Sequence, residues 1–205
     1  MVAPENLDLA TALVADKRVG FFSFIGSSGV GWMLRSKLAP GARCALEHGG
    51  VAPAIVAADA NLDTALQTLA KGGFYHAGQV CVSVQRIFCD AKIARDVADG
   101  LAAEASAMKV GDPTLPDTDV GPLISHNECE RVASWISEAT SGGADLVTGG
   151  EKLSESCYKP TVLFDPPEDA KISTSEIFGP AVCVYPYDNL DSAIARANSL
   201  PVSFQ

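Results

Sequence analysis

Apolar residues recur along the chain with two alternating periods, and this alternation predicts the class of fold. Short apolar runs typical of buried strands occupy residues 19–25, 43–47, 54–57, 84–88, 146–147, 161–164 and 182–185. Between them, apolar residues spaced three and four apart predict amphipathic helices. Because strands and helices alternate, we predict an α/β fold with a largely parallel sheet flanked by helices.

Capping residues predict where the helices begin and end. Four starts are indicated by side chains that accept hydrogen bonds from a first helical turn: Asn61, Asp90, Ser125, and Asp188 or Asn189. Ser125 and Glu128 have the spacing of a capping box, in which each side chain accepts the backbone N–H of the other residue. The helix that follows the turn at residues 26–29 is expected to end at Pro40.

Composition and charge narrow the classes of partner. The 205 residues are 47% hydrophobic and 20% charged, which is ordinary for a soluble globular protein. The net charge is −10 and the basic residues are scattered, so we expect neither nucleic acid nor a membrane as a partner. The longest stretch without charge, residues 19–34, is too short and too polar to cross a bilayer.

The six cysteines contain no C-x-x-C pair and are too sparse for a disulfide scaffold, so we expect reduced thiols in a cytoplasmic protein. Three lie inside apolar runs and are expected in the core: Cys44, Cys89 and Cys183. Two others are expected at surface or helix positions: Cys129 and Cys157. His126 and Cys129 have helical spacing but lack further ligands, so no metal site is predicted.

The sixth cysteine, Cys81, has a different setting, because it lies where a loop enters the strand at residues 84–88. The small residues Ala77 and Gly78 leave room for a ligand beside it. Two interpretations remain open from the residues alone. Cys81 is either a small packed hydrophobe or a reactive thiol.

Two further stretches carry candidate chemistry. Residues 26–31 join a strand to a helix, where backbone N–H groups can meet a pyrophosphate, although their G-x-x-G-x-G spacing is equally that of a plain tight turn. Glu47 leaves a strand beside Gly49 and Gly50. It is either a solvated surface carboxylate or a base that draws a proton from water after Cys81 has attacked an electrophilic carbon.

Four segments taken together resemble the signature motifs of the aldehyde dehydrogenase superfamily, in the order and at close to the intervals of that family: residues 24–31, 46–50, 78–81 and 176–180. Residues 110–113 and 119–123 are also similar to family motifs, so the resemblance covers essentially the whole chain. It implies an aldehyde dehydrogenase-like catalytic domain with a remnant of a Rossmann-like cofactor domain.

The resemblance also implies a domain division and a fragment. Residues 1–49 would be the C-terminal part of an NAD(P)-binding domain, and residues 50–205 a C-terminally incomplete catalytic domain. The parts expected elsewhere would supply an asparagine of the oxyanion hole, a lysine near the adenosine ribose and surfaces for homo-oligomerisation. We therefore expect impaired activity from this chain alone.

The resemblance implies a role for each matching residue. Cys81 would attack a small-molecule aldehyde to form a thiohemiacetal, whose hydride passes to NAD or NADP, and its backbone N–H would hold part of the oxyanion charge. Glu47 would activate water against the resulting thioester, which releases a carboxylic acid. Glu176 would hold the nicotinamide ribose and Phe178 would flank the nicotinamide ring. The cofactor site would be lined by Gly26, Ser27, Ser28, Gly29, Val30 and Gly31.

Some positions depart from the family pattern, and two other functions remain as alternatives. His48, Val51 and Ala77 replace residues that are commoner in the family, without removing a reacting group. One alternative is a cofactor-independent hydrolase that pairs Cys81 with His48 or His76. The other is a non-catalytic α/β module that binds a nucleotide or a partner chain.

Overall fold

The structure, a computed structural model, describes residues 7–201, which divide into two units at the junction of Gly49 and Gly50. The two predicted domains extend to residues 1–6 and 202–205, which lie outside the described residues. The assignment of these domains to cofactor binding and catalysis remains a prediction.

The first unit is built from two parallel strands and two helices. In chain order these are α1 (Leu7–Ala15), β1 (Phe21–Ile25), α2 (Ser28–Arg35) and β2 (Arg43–Glu47). Strands β1 and β2 pair in parallel, so the chain must cross over between them, and α2 makes that crossover. The register places Ile25 opposite Glu47, and both strands therefore end at the same edge.

The second unit contains a five-stranded sheet with the order β3-β4-β7-β6-β5. Its strands are β3 (Pro53–Val56), β4 (Arg86–Asp90), β5 (Asp145–Thr148), β6 (Thr161–Phe164) and β7 (Ala181–Tyr187). The pairs β3–β4, β4–β7 and β7–β6 are parallel, whereas β5 pairs with β6 in the antiparallel direction at one edge. This arrangement confirms the predicted α/β fold with a largely parallel sheet.

Helices cover this sheet and bury the apolar stripes that the sequence contains. They are α3 (Leu62–Phe74), α4 (Ala94–Ala107), α5 (His126–Ser141), the short α6 (Lys171–Thr174) and α7 (Leu190–Ala197), with a 3-10 turn at Tyr75–Gly78 after α3. Val97 and Leu101 of α4 are fully buried, as predicted. The Phe88 and Tyr185 rings stack in the core with centroids 5.3 Å apart. Among the helices that the structure describes, none combines the length and the apolar character that a membrane span requires.

Two predicted helix boundaries were wrong for identifiable reasons. Asp90 does not cap α4, because it is the last residue of β4 and its carboxylate accepts the Lys92 N–H at 3.0 Å. Helix α4 begins at Ala94 instead. Helix α2 ends at Arg35 rather than near Pro40, and the following residues form successive turns.

The capping box at α5 is half formed. The Ser125 hydroxyl accepts the Glu128 N–H at 3.3 Å, as predicted. The Glu128 carboxylate does not complete the reciprocal bond, because it accepts a hydrogen bond from Arg131 Nε at 2.7 Å. Asn189 caps α7 by accepting the Ser192 N–H at 3.1 Å.

The burial of the cysteines also differs in part from the prediction. Cys89 and Cys183 are buried, as expected for strand positions in the core. Cys129 is buried as well and lies in α5, which agrees with the helix alternative of the prediction and not with a surface position. Cys44 was expected in the core but is only half-buried, since β2 belongs to a sheet of two strands.

The contact between α3 and β7 gives a test of the packing. A Cβ atom at Gly73 would lie 2.4 Å from Cγ1 of Val182, a side chain with little freedom to move. Gly73→Ala should therefore lower the free energy of unfolding by about 1–3 kcal/mol, measured by urea denaturation.

Gly111→Ala is the matched control in the same unit. Its Cβ would meet only Thr118 Oγ1 at 3.9 Å, which is an ordinary contact. It should leave stability within about 0.5 kcal/mol of the wild type. Equal stabilities for the two variants would contradict the packing described for α3.

Candidate active site

The loop that carries Cys81, residues 75–83, is named here the cysteine loop, and it begins with unusual backbone geometry. His76, Ala77 and Gly78 follow one another with φ of 51°, 56° and 69°. The left-handed conformation costs a non-glycine residue about 1–2 kcal/mol. Surrounding contacts must therefore hold the loop in place, and strain of this kind is concentrated at functional segments of proteins.

Cys81 occupies a tight turn at the other end of the cysteine loop. The Ser83 N–H donates to the Val80 carbonyl at 2.9 Å, which closes the turn around Cys81. The Ser83 hydroxyl reaches the carbonyls of Gly72 and Gly73 at 3.3 Å and so ties the turn to α3. Cys81 is half-buried. Within residues 7–201 its backbone N–H donates no hydrogen bond, so a thiol and a free donor share one fixed position.

The cysteine loop is in direct backbone contact with the segment that contains Glu176 and Phe178. A Cβ atom at Gly78 would lie 2.0 Å from the Gly179 carbonyl oxygen, so only glycine permits this approach. A small cavity of about 10 Å³ between the two segments is lined by residues that include Val80 and Glu176. The structure thus brings two of the predicted motif segments together.

Gln79 joins a third segment to the cysteine loop. Its side-chain Nε2 donates to the Pro122 carbonyl at 3.2 Å, and its Oε1 accepts the Ile124 N–H at 2.8 Å. Together the three segments enclose an open cleft of about 950 Å³, whose lining includes Tyr75, His76, Val80, Asp119, Leu123 and Phe178. A volume of this size accommodates a ligand of several rings.

The remaining candidate residues lie in the first unit, at the edge where β1 and β2 end. The Gly26 N–H donates to the Glu47 carbonyl at 3.1 Å, so the turn at residues 26–31 and Glu47 are adjacent. The Glu47 side chain is exposed to solvent. The structure therefore divides the predicted site residues between the units, with Glu47 and the turn in the first, and Cys81 and Phe178 in the second.

The turn at residues 26–31 leaves backbone N–H groups open at the start of α2. Ser27 is the N-cap of α2 but its hydroxyl makes no capping hydrogen bond, so the first N–H groups of the helix remain available to an anion. A Cβ atom at Gly29 would meet nothing within 4 Å, which leaves the helix start open to approach. Gly26 and Gly31 instead pack against the Phe24 ring, which supports the turn from beneath.

Burial raises the thiol pKa of the cysteines in the core. Desolvation raises the pKa of Cys89 and that of Cys183 to about 12. Burial also raises the pKa of Cys129. These three thiols stay protonated at neutral pH and are poor nucleophiles. Cys44, Cys81 and Cys157 are the half-exposed ones.

The histidines proposed for the hydrolase alternative have other neighbours. The His76 ring is exposed and packs against the Tyr75 ring with centroids 5.0 Å apart. The His48 ring lies 6.4 Å from the Trp32 ring within the first unit. In the part of the chain that the structure describes, no group of three or more His, Cys, Asp and Glu side chains could hold a metal ion.

The structural role of two glutamines, Gln79 and Gln85, was not predicted from the sequence. Both are buried or half-buried, and both use their side-chain amides to join segments that are distant in sequence. Gln85 interrupts the apolar run at residues 84–88, and a buried amide requires hydrogen-bond partners. This polar residue within an apolar run is the sequence signal from which the role of Gln85 could have been predicted.

Comparisons with known proteins agree with this geometry. The family model of the aldehyde dehydrogenase family matches residues 1–205. The 3-sulfolactaldehyde dehydrogenase of Priestia aryabhattai is 36% identical over 201 residues, which are 98% of this chain and 42% of that protein.

Solved structures give the same result. An aldehyde dehydrogenase from Brucella melitensis biovar abortus 2308 has a TM-score of 0.91 and 34% identity, covering 97% of this chain and 41% of that one. The glyceraldehyde-3-phosphate dehydrogenase GapN from Methanocaldococcus jannaschii, complexed with NADP, has a TM-score of 0.88 and 36% identity, covering 94% of this chain and 41% of that one.

The chain thus spans about 40% of the length of the relatives it matches. The match to the family model nevertheless runs from its first residue to its last. With the α/β sheet, the cysteine loop and the cleft, this match identifies the chain. It belongs to the aldehyde dehydrogenase family.

Proposed function

We propose that this chain carries the reacting groups of an NAD(P)-dependent aldehyde dehydrogenase, which oxidises a small-molecule aldehyde to a carboxylic acid. The observation that supports this most is the contact between the cysteine loop and the segment of Glu176 and Phe178 at one cleft. The family resemblance assigns Cys81 of this loop as the nucleophile, and Glu176 and Phe178 to the nicotinamide end of the cofactor. Each of the relatives reported above is named as a dehydrogenase of an aldehyde.

The first step belongs to Cys81. Its thiolate attacks the aldehyde carbon, a C–S bond forms, and negative charge develops on the former carbonyl oxygen. The unengaged Cys81 N–H is a hydrogen-bond donor for that oxygen, and it is fixed by the turn that Ser83 closes. A donor that is already in place stabilises the charge without reorganisation at the moment of reaction.

Two groups of residues would bind the cofactor in this proposal, as the family resemblance implies. The open N–H groups at the start of α2, with Gly26, Ser27 and Gly29, would bind the pyrophosphate. Glu176 would hold the ribose, and Phe178 would flank the nicotinamide ring. When bound, NAD or NADP accepts the hydride whose departure converts the thiohemiacetal into a thioester.

Glu47 completes the cycle in this proposal. Its carboxylate takes a proton from water, the water oxygen attacks the thioester carbon, and the C–S bond breaks to release the acid and regenerate the thiolate. A solvent-exposed carboxylate at the end of β2 has ready access to that water. The complete protein would be cytoplasmic, which the six free cysteines support, and homo-oligomeric, as the family resemblance implies.

Alkylation tests the assignment of the nucleophile. Iodoacetamide at neutral pH should modify Cys81 at least about tenfold faster than Cys157, the other half-exposed cysteine of the second unit, because only Cys81 has a reactive role. The three buried thiols should stay unmodified in the folded protein. Peptide mass spectrometry over time gives the rates, and faster modification of Cys157 would contradict the assignment.

Substitution tests the same residue by activity. In the complete protein that contains this chain, Cys81→Ala should abolish aldehyde-dependent reduction of NAD or NADP, because no C–S bond can form. Cys157→Ala is the control and should retain wild-type kcat/KM. Turnover by Cys81→Ala would rule out a covalent route through this sulfur.

Glu47→Gln should separate the two halves of the reaction. Rapid mixing should still give a burst of about one NAD(P)H per site, since the first step does not need this base. The steady-state rate should then fall by about 10²–10⁴, because the thioester accumulates. An unchanged steady-state rate would show that another group activates the water.

A further inference from the structure

Gln85 is a buried side chain that spans from the sheet to the segment carrying Glu176. It lies four residues after Cys81 and is 3% exposed. Its Nε2 donates to the Ile172 carbonyl at 2.7 Å and to the Ser175 carbonyl at 2.8 Å. Its Oε1 accepts the Ile177 N–H at 2.8 Å. Three hydrogen bonds therefore leave one side chain for one segment, about 90 residues further along the chain.

These bonds satisfy backbone groups that would otherwise be left without partners. Ile172 belongs to α6 and Ser175 follows it, and the last carbonyls of any helix lack partners within the helix. The amide orientation of Gln85 is determined by the site, because a flipped amide would set its NH₂ against the Ile177 N–H. The backbone of Gln85 bonds to Ala52 and Cys183, so its side chain projects from a fixed position.

Arg131 binds the same residue, Ile177, through its carbonyl group. Its Nη2 donates to the Ile177 carbonyl at 2.6 Å, while its Nε binds the Glu128 carboxylate at 2.7 Å. Its guanidinium also lies over the Trp135 ring, 4.7 Å from the ring centroid, within the reach of about 6 Å for a cation–π contact. Both the N–H and the C=O of Ile177 therefore form hydrogen bonds. The bond from Arg131 is charge-assisted, and the bond to Gln85 is buried.

The residue that follows needs this support. Phe178 has φ of 46°, a left-handed conformation that a bulky residue adopts only where its surroundings enforce it. Its ring is 39% exposed and lines the cleft beside the cysteine loop. The restraint on Ile177 therefore determines where the Phe178 ring lies.

We propose that Gln85 is a positioning residue for the cofactor: it holds the segment of Glu176 and Phe178 in the geometry that receives the nicotinamide end of NAD or NADP. This role rests on the proposed function. Gln85 itself does not touch the reacting atoms. It acts through the Ile177 peptide and the carbonyls at the end of α6.

Two substitutions in the complete protein that contains this chain test the role. Gln85→Met keeps the approximate volume and removes all three hydrogen bonds. Gln85→Glu keeps an acceptor for the Ile177 N–H but sets a buried carboxylate against the Ile172 and Ser175 carbonyls, so its effect should be at least as large. Tyr187→Phe is the control, because it removes a buried hydrogen bond to the Val56 carbonyl elsewhere in the same sheet.

Two measurements are made on each variant. Hydrogen exchange at the Ile177 amide should accelerate at least about tenfold in Gln85→Met, since its acceptor is lost. The Kd for NAD+ and NADP+, from fluorescence titration, should rise at least about tenfold in Gln85→Met and in Gln85→Glu. Tyr187→Phe should leave both quantities unchanged, although it loses stability as well.

The outcomes separate this inference from the proposed function. An unchanged Ile177 exchange rate in Gln85→Met would overturn the restraint, and faster exchange with an unchanged Kd would overturn the role in cofactor binding. An equal loss of affinity in Tyr187→Phe would also overturn it, since general destabilisation would then suffice. If the wild type binds neither dinucleotide, the proposed function and the cofactor role fall together, while hydrogen exchange still decides whether Gln85 holds the segment.

Discussion

The close approach of two backbones, at Gly78 and Gly179, is the constraint on which the second unit's cleft depends. There is no room for a Cβ atom at Gly78, because the Gly179 carbonyl oxygen occupies that space. The approach joins the cysteine loop, which carries Cys81, to the segment of Glu176 and Phe178. A side chain at Gly78 would force these segments apart. The thiol, the N–H donor and the aromatic ring would then lose the arrangement that the proposed chemistry requires.

Strain and hydrogen bonding balance each other around this contact. His76, Ala77 and Phe178 all have left-handed backbones, which are unfavourable for these residues. Gln79 and Gln85 supply the compensating bonds, each using both ends of its amide. Gln79 lies within the cysteine loop and Gln85 follows it in the chain, so residues before and after Cys81 are both anchored to distant segments.

Much of the fold could be predicted from the sequence, because its signals are local. Strand β2 lies at the predicted residues, since an apolar run there ends at Glu47 before two glycines. Strand β4 starts two residues later than predicted, at Arg86, because the Val84 N–H bonds to Gly72 at the end of α3. No local pattern reveals a partner that lies far away in sequence.

In the candidate site, too, local features could be predicted from the sequence and long-range contacts could not. The position of Cys81 before a strand was visible from residue types, but the bond from Gln85 to Ile177 joins residues 92 positions apart. Nothing in the sequence around either residue indicates that the other is its partner. The roles of Glu47 and Glu176 came from the resemblance to a family and remain proposals, because the chemistry of an isolated carboxylate does not follow from its sequence neighbours.

The unequal burial of the sulfur atoms has a consequence for oxidative damage. Peroxides react with accessible thiolates, and the oxidation of a sulfur inside a core requires the core to open first. Cys89, Cys129 and Cys183 are shielded in this way, whereas Cys81 is within reach of solvent. An oxidant would therefore reach the sulfur of Cys81 while the folded architecture was still intact, so that the chemistry proposed for this thiol would be lost before the structure.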